Sequence, residues 1–384
     1  MSKIPRIVLL IETSRGFGRD LLYGIAKYSR LHGPWSFYRE PGGLNRVSPK
    51  LSDWEPNGII MRDSAKIKPL MSLGLPTILA LHKQNSGNSH PYPRIITDSE
   101  AIGTMAAEHF LDRGFENFAF CGFDRMKWSQ IRRKSFQKTV KDAGFTVHVY
   151  QQPKSPAKRS WINEQRILSE WLSNLPKPVA LMACNDDRAR HAMEACRQAN
   201  ISIPDDVAIL GVDNDELVCE LADVPLSSIA LSTRKAGYKA SELLDKLIKG
   251  KEKMRGQKIP VRPTHIVTRQ STDILAIDDP AVSTAVKFIR ENAKKALQVG
   301  DVANAASISR RVLEKRFRKL LNRSVFEEIR RVRTRHCIKL LLETNMSISE
   351  IADALDFRGV AHISRYFRKE AGMSLTDYRK KYAS

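Results

Sequence analysis

The chain has 384 residues, 64 Lys+Arg against 42 Asp+Glu, and a formal net charge of +22. That length allows two or three domains with full cores, and that basic excess points to a polyanionic partner, nucleic acid first. The five cysteines, Cys121, Cys184, Cys196, Cys219 and Cys337, are scattered with no CxxC or other metal-ligand spacing; they exclude a disulfide framework, suit a reducing compartment, and leave no metal or cofactor to expect. The first apolar run, Ile7–Ile11, is too short for a signal-peptide core or a membrane span, so the expected location is cytoplasmic.

Short apolar runs then alternate with longer amphipathic stretches up to about residue 270, which predicts an α/β fold with parallel sheets. Strands are expected at Ile7–Ile11, Ser36–Arg39, Gly58–Met61, Thr77–Leu81, Phe118–Cys121, Thr146–Tyr150, Val179–Ala183 and Val207–Val212. Helices are expected at Arg19–Leu31, Ser99–Arg113, Ile131–Ala143, Asn163–Asn174, Asp187–Ala199 and Lys235–Gly250. Lys251–Arg262 reads as a return crossing, and Asp278-Asp279-Pro280 as a helix start at the end of a linker. The resulting division is an effector domain over 1–273, a linker over 274–283 and an all-helical domain over 284–384.

The helical segment writes one unit twice. Val302–Ala306, a break at Ser307-Ile308 and Ser309–Phe317 form the first copy; Ile351–Leu355, a break at Asp356–Gly359 and Val360–Lys369 form the second. A short helix, a tight turn and a longer basic helix make a helix-turn-helix, whose second helix enters the major groove of DNA. Residues 280–384 hold about 23 Lys/Arg against about 11 Asp/Glu, the densest basic stretch of the chain. In the first reading helix Leu313 and Phe317 should face the core with Val312 on their flank, leaving Arg310, Arg311, Glu314 and Lys315 outside. In the second, Ile363 and Phe367 should face in, and Val360, Ala361, His362 and Arg365 out. Arginine can bond guanine bidentately, and Val or Ala can meet a thymine methyl. Phe326–Thr344, apolar along Ile329, Val332, Ile338, Leu341 and Leu342, would fix the spacing of the two units. The competing reading is a set of core helices with solvated arginines.

Ile351-Ala352, Phe357, Ile363, Phe367, Gly372 and Tyr378-Arg379 make this half resemble the AraC/XylS family of transcription regulators. Asp356 and Asn322 stand where that family has Gly, and Leu375 where it has Pro. Asp and Asn tolerate positive φ better than most residues.

In the first half, Cys184–Ala189 follows one strand with an Asn-Asp turn, and Gly211–Asp215 follows another with a Gly-x-Asp turn. With Leu226–Ile229 and Arg132 before Ser135-Phe136, these make residues 4–270 resemble the two-lobed effector core of LacI-type repressors, shared with periplasmic sugar-binding proteins. Open α/β sheets place ligands at such strand ends. Asp213, Asp186, Asn185, Arg132 and Trp128 supply the carboxylate, amide, guanidinium and aromatic groups that grip a sugar. The resemblance places Asp98 at a crossing between lobes, and the loop Thr13–Gly18 contributes Arg15 and Phe17 as cleft wall. That loop lacks the spacing of a phosphate-binding motif. Asp213 and Asp186 could instead be plain helix N-caps, and Trp128 ordinary packing.

Together the resemblances imply a sugar-responsive transcription regulator, with D-xylose first among effectors and control of a pentose-utilisation operon. They also imply operator DNA as a partner, a homodimer, and RNA polymerase if the protein activates. The alternatives are the same architecture sensing another sugar, or a sugar-binding protein with non-specific DNA binding. An enzyme with a DNA-binding tail is disfavoured, because no GxSxG, HExxH or reactive-cysteine motif occurs.

Overall fold

A computed structural model describes residues 4–39, 54–63, 73–81, 91–153, 160–274, 276–277, 279–321 and 323–382. The α/β half has two lobes, each on a six-stranded sheet. Lobe one contains β1 (Arg6–Leu10), β2 (Ser36–Arg39), β3 (Gly58–Arg62), β4 (Thr77–Ala80), β5 (Arg94–Thr97) and β11 (Lys258–Val261). Their order is β11-β5-β4-β3-β1-β2 and every pairing is parallel. Lobe two contains β6 (Asn117–Cys121), β7 (Val147–Val149), β8 (Val179–Ala183), β9 (Val207–Val212), β10 (Ser227–Leu231) and β12 (Pro263–Val267). These run β12-β10-β9-β8-β6-β7, with only β12 antiparallel to its neighbour. Val-Ala-Leu-Met-Ala in β8 and Val-Ala-Ile-Leu-Gly-Val in β9 are buried at every position, because helices cover both faces of a parallel sheet and leave no polar side for alternation.

Helices α1 (Gly16–His32) and α7 (Thr233–Ile248) pack together against lobe one. On lobe two, α2 (Ser99–Leu111) and α3 (Lys127–Asp142) cover one face, and α4 (Trp161–Ser173) and α5 (Asp186–Gln198) the other. A short α6 (Glu216–Glu220) follows β9. Gly103 of α2 lies against α3 so closely that a Cβ there would stand 2.4 Å from the Arg132 carbonyl oxygen. Only glycine lets these two helices meet backbone to backbone.

The chain crosses between lobes after β5, after β10 and between β11 and β12. The crossings are tied together: Asp98 N donates to Val261 O at 2.8 Å, Ser232 N to Arg262 O at 2.9 Å, and Arg262 N to Ser232 Oγ at 2.9 Å. Strand β11 lies in the segment whose sequence suggested only a crossing, and β12 follows directly after it. Pro260 and Pro263 lie in them, and proline is tolerated in strands chiefly at sheet edges, where β11 and β12 sit. Helix α3 begins at Lys127, earlier than its periodicity indicated, and so puts Trp128 and Arg132 one turn apart on one face.

The C-terminal half is helical: α8 (Pro280–Glu291), α9 (Val299–Ala305), α10 (Arg310–Leu321), α11 (Val325–Glu343), α12 (Ile348–Ala354), α13 (Val360–Ala371) and α14 (Leu375–Tyr382). Asp279 caps α8 by accepting from Ala281 N and Val282 N, with proline at the helix start. The first turn of α8 thus falls within 274–283, and its Val282 joins the helical core; Asp278 and Asn322 lie outside the described residues. Ser324 and Ser347 start α11 and α12 with reciprocal capping boxes. Helix α11 serves two cores. Val325, Ile329 and Val332 pack with Leu313 and Phe317 of α10, whereas Cys337 and Leu341 pack with Ile363 and Phe367 of α13. Leu375 starts α14 and is buried in the second core.

Candidate functional site

The C-terminal strand ends of both lobes face one cavity, at the place where open α/β sheets put their ligands. Lobe one contributes Ile11, Glu12, Arg15, Phe17, Arg62 and Thr97; lobe two contributes Trp128, Arg132, Asn185 and Asp213. Six of the eight ligand residues expected from sequence therefore meet here: Asp213, Arg132, Asn185, Trp128, Arg15 and Phe17. Asp186 and Asp98 do not line it.

Asp213 stands just after β9 at φ +106°, and the next residue, Asn214, at φ +50°. Such backbone is costly for non-glycine residues and clusters at functional sites. The N-cap of α5 is Asn185, whose Oδ1 accepts from Arg188 N at 3.0 Å, and the N-cap residue of α6 is Asp215. Asp213 caps no helix, and its carboxylate accepts no hydrogen bond among the described residues. Burial pushes this carboxyl up to about 6, against the pull of the Arg132 guanidinium. Asp186 is consumed structurally: its carboxylate accepts from Ser228 Oγ at 2.6 Å and Asp215 N at 2.8 Å. Burial, then the neighbouring Asp213 charge, raises its pKa well above the carboxylate range. Asp98 caps α2, accepting from Ala101 N at 3.1 Å. Its neighbour Thr97, the last residue of β5, lines the cavity instead.

Arg132 is 4% exposed. It donates to the Cys184 carbonyl through Nη1 and lies 4.8 Å from the Trp128 ring centre, while its buried Nε has no partner among the described residues. An unpaired buried guanidinium nitrogen is costly unless a ligand accepts from it. Burial lowers its pKa, with Asp213 opposing.

Glu12 and Arg62 form an ion pair on the opposite wall, and Ser14 Oγ donates to Glu12 at 2.6 Å. Burial works to raise the Glu12 carboxyl, but Ser14, Arg62 and Arg15 hold it below its usual range. Arg62 lies at the end of β3, a cleft position also by its sequence, whereas Glu12 and Thr97 escaped the sequence reading although each stands at or just beyond a strand end of lobe one. Searching all those ends would have found them. Gly18 closes the first loop; a Cβ there would stand 1.7 Å from the Glu12 carbonyl oxygen. The lobes are bridged beside the cavity. Arg15 pairs with Asp187 at 2.7 Å, Arg19 pairs with Asp215, and Gly16 N donates to Asp215 Oδ2 at 2.5 Å. Each cavity arginine thus has an acidic neighbour: Arg15 has Asp187, Arg62 has Glu12 and Arg132 has Asp213. That balance suits an uncharged, hydroxyl-rich ligand.

The reading helices are the opposite case. Arg310, Arg311 and Lys315 of α10 are exposed, as are Val360, Ala361, His362 and Arg365 of α13, while Leu313, Phe317, Ile363 and Phe367 are fully buried. Arg311 and Arg365 make no ion pair among the described residues. Glu314 is half-buried and turns back, accepting from Val325 N at 3.4 Å, so it is partly spent on the start of α11. Val312 is 41% exposed and belongs to the outer face rather than the core flank. His362 Nδ1 accepts from Arg358 N at 3.4 Å, and its ring packs edge-on to Phe357. The turns use left-handed residues, Ser307 at φ +53° and Asp356 at φ +53°. Asp is thus a workable replacement for glycine at the second turn.

Cavity and helices define a ligand-responsive transcription regulator: a two-lobed periplasmic-binding-protein-like domain joined to a double helix-turn-helix. Residues 107–272 match the model of the periplasmic binding protein-like domain, and residues 302–381 that of a helix-turn-helix domain. The xylose operon regulatory protein of Escherichia coli K12 is 30% identical over 98% of this chain and 97% of its own length, and that of Haemophilus influenzae 29% identical over 97% and 98%. A solved xylose-binding transcription activator, xylR, is 29% identical with TM-score 0.63 and full coverage of both chains. A cellobiose complex of the regulator CelR, 18% identical with TM-score 0.56, covers 70% of this chain and 84% of its own and shares the fold. The chain belongs to the family of xylose operon regulatory proteins. Its relatives are regulators rather than enzymes, and among the described residues no helix is long and apolar enough to cross a membrane.

Proposed function

We propose that the cavity binds D-xylose or a closely related pentose, and that occupancy sets how the helical domain binds the promoter of a pentose-utilisation operon. The observation that carries this reading is the charge-balanced cavity at the strand ends, in a chain whose full length resembles a xylose-binding activator. Asp213 accepts from vicinal hydroxyls, and Arg132 and the Asn185 amide donate across the ring edge. Trp128 and Phe17 supply apolar wall, and Arg15 holds the mouth through Asp187. Arg310, Arg311, Lys315, Val360, Ala361, His362 and Arg365 read or hold DNA, with Glu314 at the edge of that face. The protein works in the cytoplasm as a homodimer and engages RNA polymerase where it activates. Residues 1–273 form the effector unit.

A thermal-shift screen of pentoses and hexoses tests this, because a specific ligand stabilises the native state by RT ln(1 + [L]/Kd). D-xylose should raise the melting temperature and change promoter affinity. A shift given only by a hexose, a purine or a phosphorylated sugar would overturn the pentose assignment.

A further inference from the structure

Asp112 sits at the C-terminal cap of α2, where the helix dipole disfavours a carboxylate. It is nevertheless 4% exposed, and three arginines of the DNA-reading half converge on it. Arg331 and Arg335 of α11 both donate to Oδ2, and Arg323 Nη1 lies 3.6 Å from Oδ1. Arg323 also donates from Nη2 to the Asp112 carbonyl at 3.0 Å and from Nε to the buried Glu328 at 2.6 Å. Burial works to raise the Asp112 carboxyl, and Arg335 and Arg331 outweigh it, holding it low. The cluster fastens lobe two to the helix that both helix-turn-helix cores share.

The other end of α2 begins at the crossing beside Thr97, a cavity residue. Midway, Gly103 brings α2 against the backbone of α3, which carries Trp128 and Arg132. A continuous rigid path therefore runs from the cavity through α3 and α2 to Asp112 and α11. The helical domain also touches lobe one: Lys235 Nζ, in the first turn of α7 just past a crossing, donates to the carbonyl of Lys380 in α14. Two anchors on two lobes mean that any turn of one lobe against the other shifts α14 relative to α11.

We propose that Asp112 is a positioning residue for regulation, the joint through which occupancy of the cavity sets the orientation of the DNA-reading helices, with Lys235 as the second anchor. The proposal rests on the sugar-responsive reading above. Coupling between two sites is the ratio of DNA affinities with and without ligand. In Asp112→Asn, calorimetry should return the parent Kd for D-xylose, because Asp112 does not line the cavity. The ratio of promoter Kd values without and with D-xylose should collapse toward one. Asp112→Glu, which keeps the charge, should recover part of the ratio. Arg335→Gln, at a half-exposed position, should lower it less, and it carries the test if Asp112→Asn does not fold. A ratio in Asp112→Asn equal to the parent's would overturn the proposal. A second arm needs no sugar: with the joint broken, protease should cut the connection between residues 272 and 280 faster than in the parent. If no sugar changes promoter binding by the parent, the sugar reading fails and the protease arm decides alone. Equal cleavage then overturns the joint, and faster cleavage supports it.

Discussion

The cavity and the reading helices are both rich in arginine, and they use it in opposite ways. In the cavity every arginine has an acidic neighbour, drawn from a distant part of the chain. On α10 and α13, Arg311 and Arg365 stand exposed within single twelve-residue helices and make no ion pair among the described residues, although Arg316 of α10 pairs with Asp279. Paired charge in a confined space selects a neutral polyol through directed hydrogen bonds. Unpaired charge on a helix face selects a polyanion, with binding driven by counterion release. Where a guanidinium's partner lies thus says more about its ligand than its mere presence does.

The comparison breaks most sharply at Arg132 and Asp213. Arg132→Ala and Asp213→Ala should each weaken sugar binding tenfold or more, since a charged hydrogen bond at a buried site is worth about 1.5–3 kcal/mol. Sugar-free DNA binding should stay as in the parent. Calorimetry beside a mobility-shift assay checks both, and parent-like sugar affinity in both variants would remove these residues from the site.

Arg311→Ala and Arg365→Ala should do the converse. Sugar affinity should hold while sequence choice relaxes, each in one of the two boxes a chain reads, by about 1–3 kcal/mol per lost bidentate contact. Footprinting on operator variants reads this; unchanged selectivity in both would make the repeat structural rather than a double reader. Successive major grooves recur about every 34 Å, so each chain should protect two boxes one helical turn apart, and the homodimer two such pairs.

Acidity separates the two regions more gently. Burial pushes the Asp213 carboxyl up to about 6, and its ionised form is the stronger acceptor for sugar hydroxyls. Sugar affinity should therefore fall as pH drops through 6, and Asp213→Asn should remove that dependence; a flat calorimetric profile from neutral to acidic pH would exclude ionised Asp213 as the acceptor. Burial dominates; Arg132 and Arg15 pull the carboxyl down, and Asp187 and Asp215 push it up. The smallest effect belongs to Lys380→Ala, which should weaken all DNA sequences alike and reduce the salt slope by about one. A change confined to one sequence would make Lys380 a reader.

The sequence by itself determined the DNA-reading half almost completely. Its signals are local: a helical period, breaks at Ser307-Ile308 and Asp356–Gly359, and an Asp at the second turn that tolerates positive φ, all within a few positions of one another. The same periodicity buried Ile363 and Phe367 and turned Arg365 outward; it misplaced Val312, which is exposed, and Glu314, which the start of α11 draws inward. Parallel sheets were legible too, because doubly covered strands such as β8 and β9 read as unbroken apolar runs. What only the tertiary structure decided was which polar groups share one cavity and which are spent elsewhere. Asp186 and Asp213 carry the same side chain near adjacent strand ends, yet one is locked by Ser228 and Asp215 while the other looks into the cavity. Thr97 ends β5 and lines the cavity, whereas Asp98, the next residue, is spent on capping α2. Glu12 and Arg62 meet only because β1 and β3 are neighbours in the sheet, and Asp112 gathers its arginines only because α2 ends against α11. Periodicity fixes which face of an element a residue occupies; pairing between distant elements fixes what that face meets.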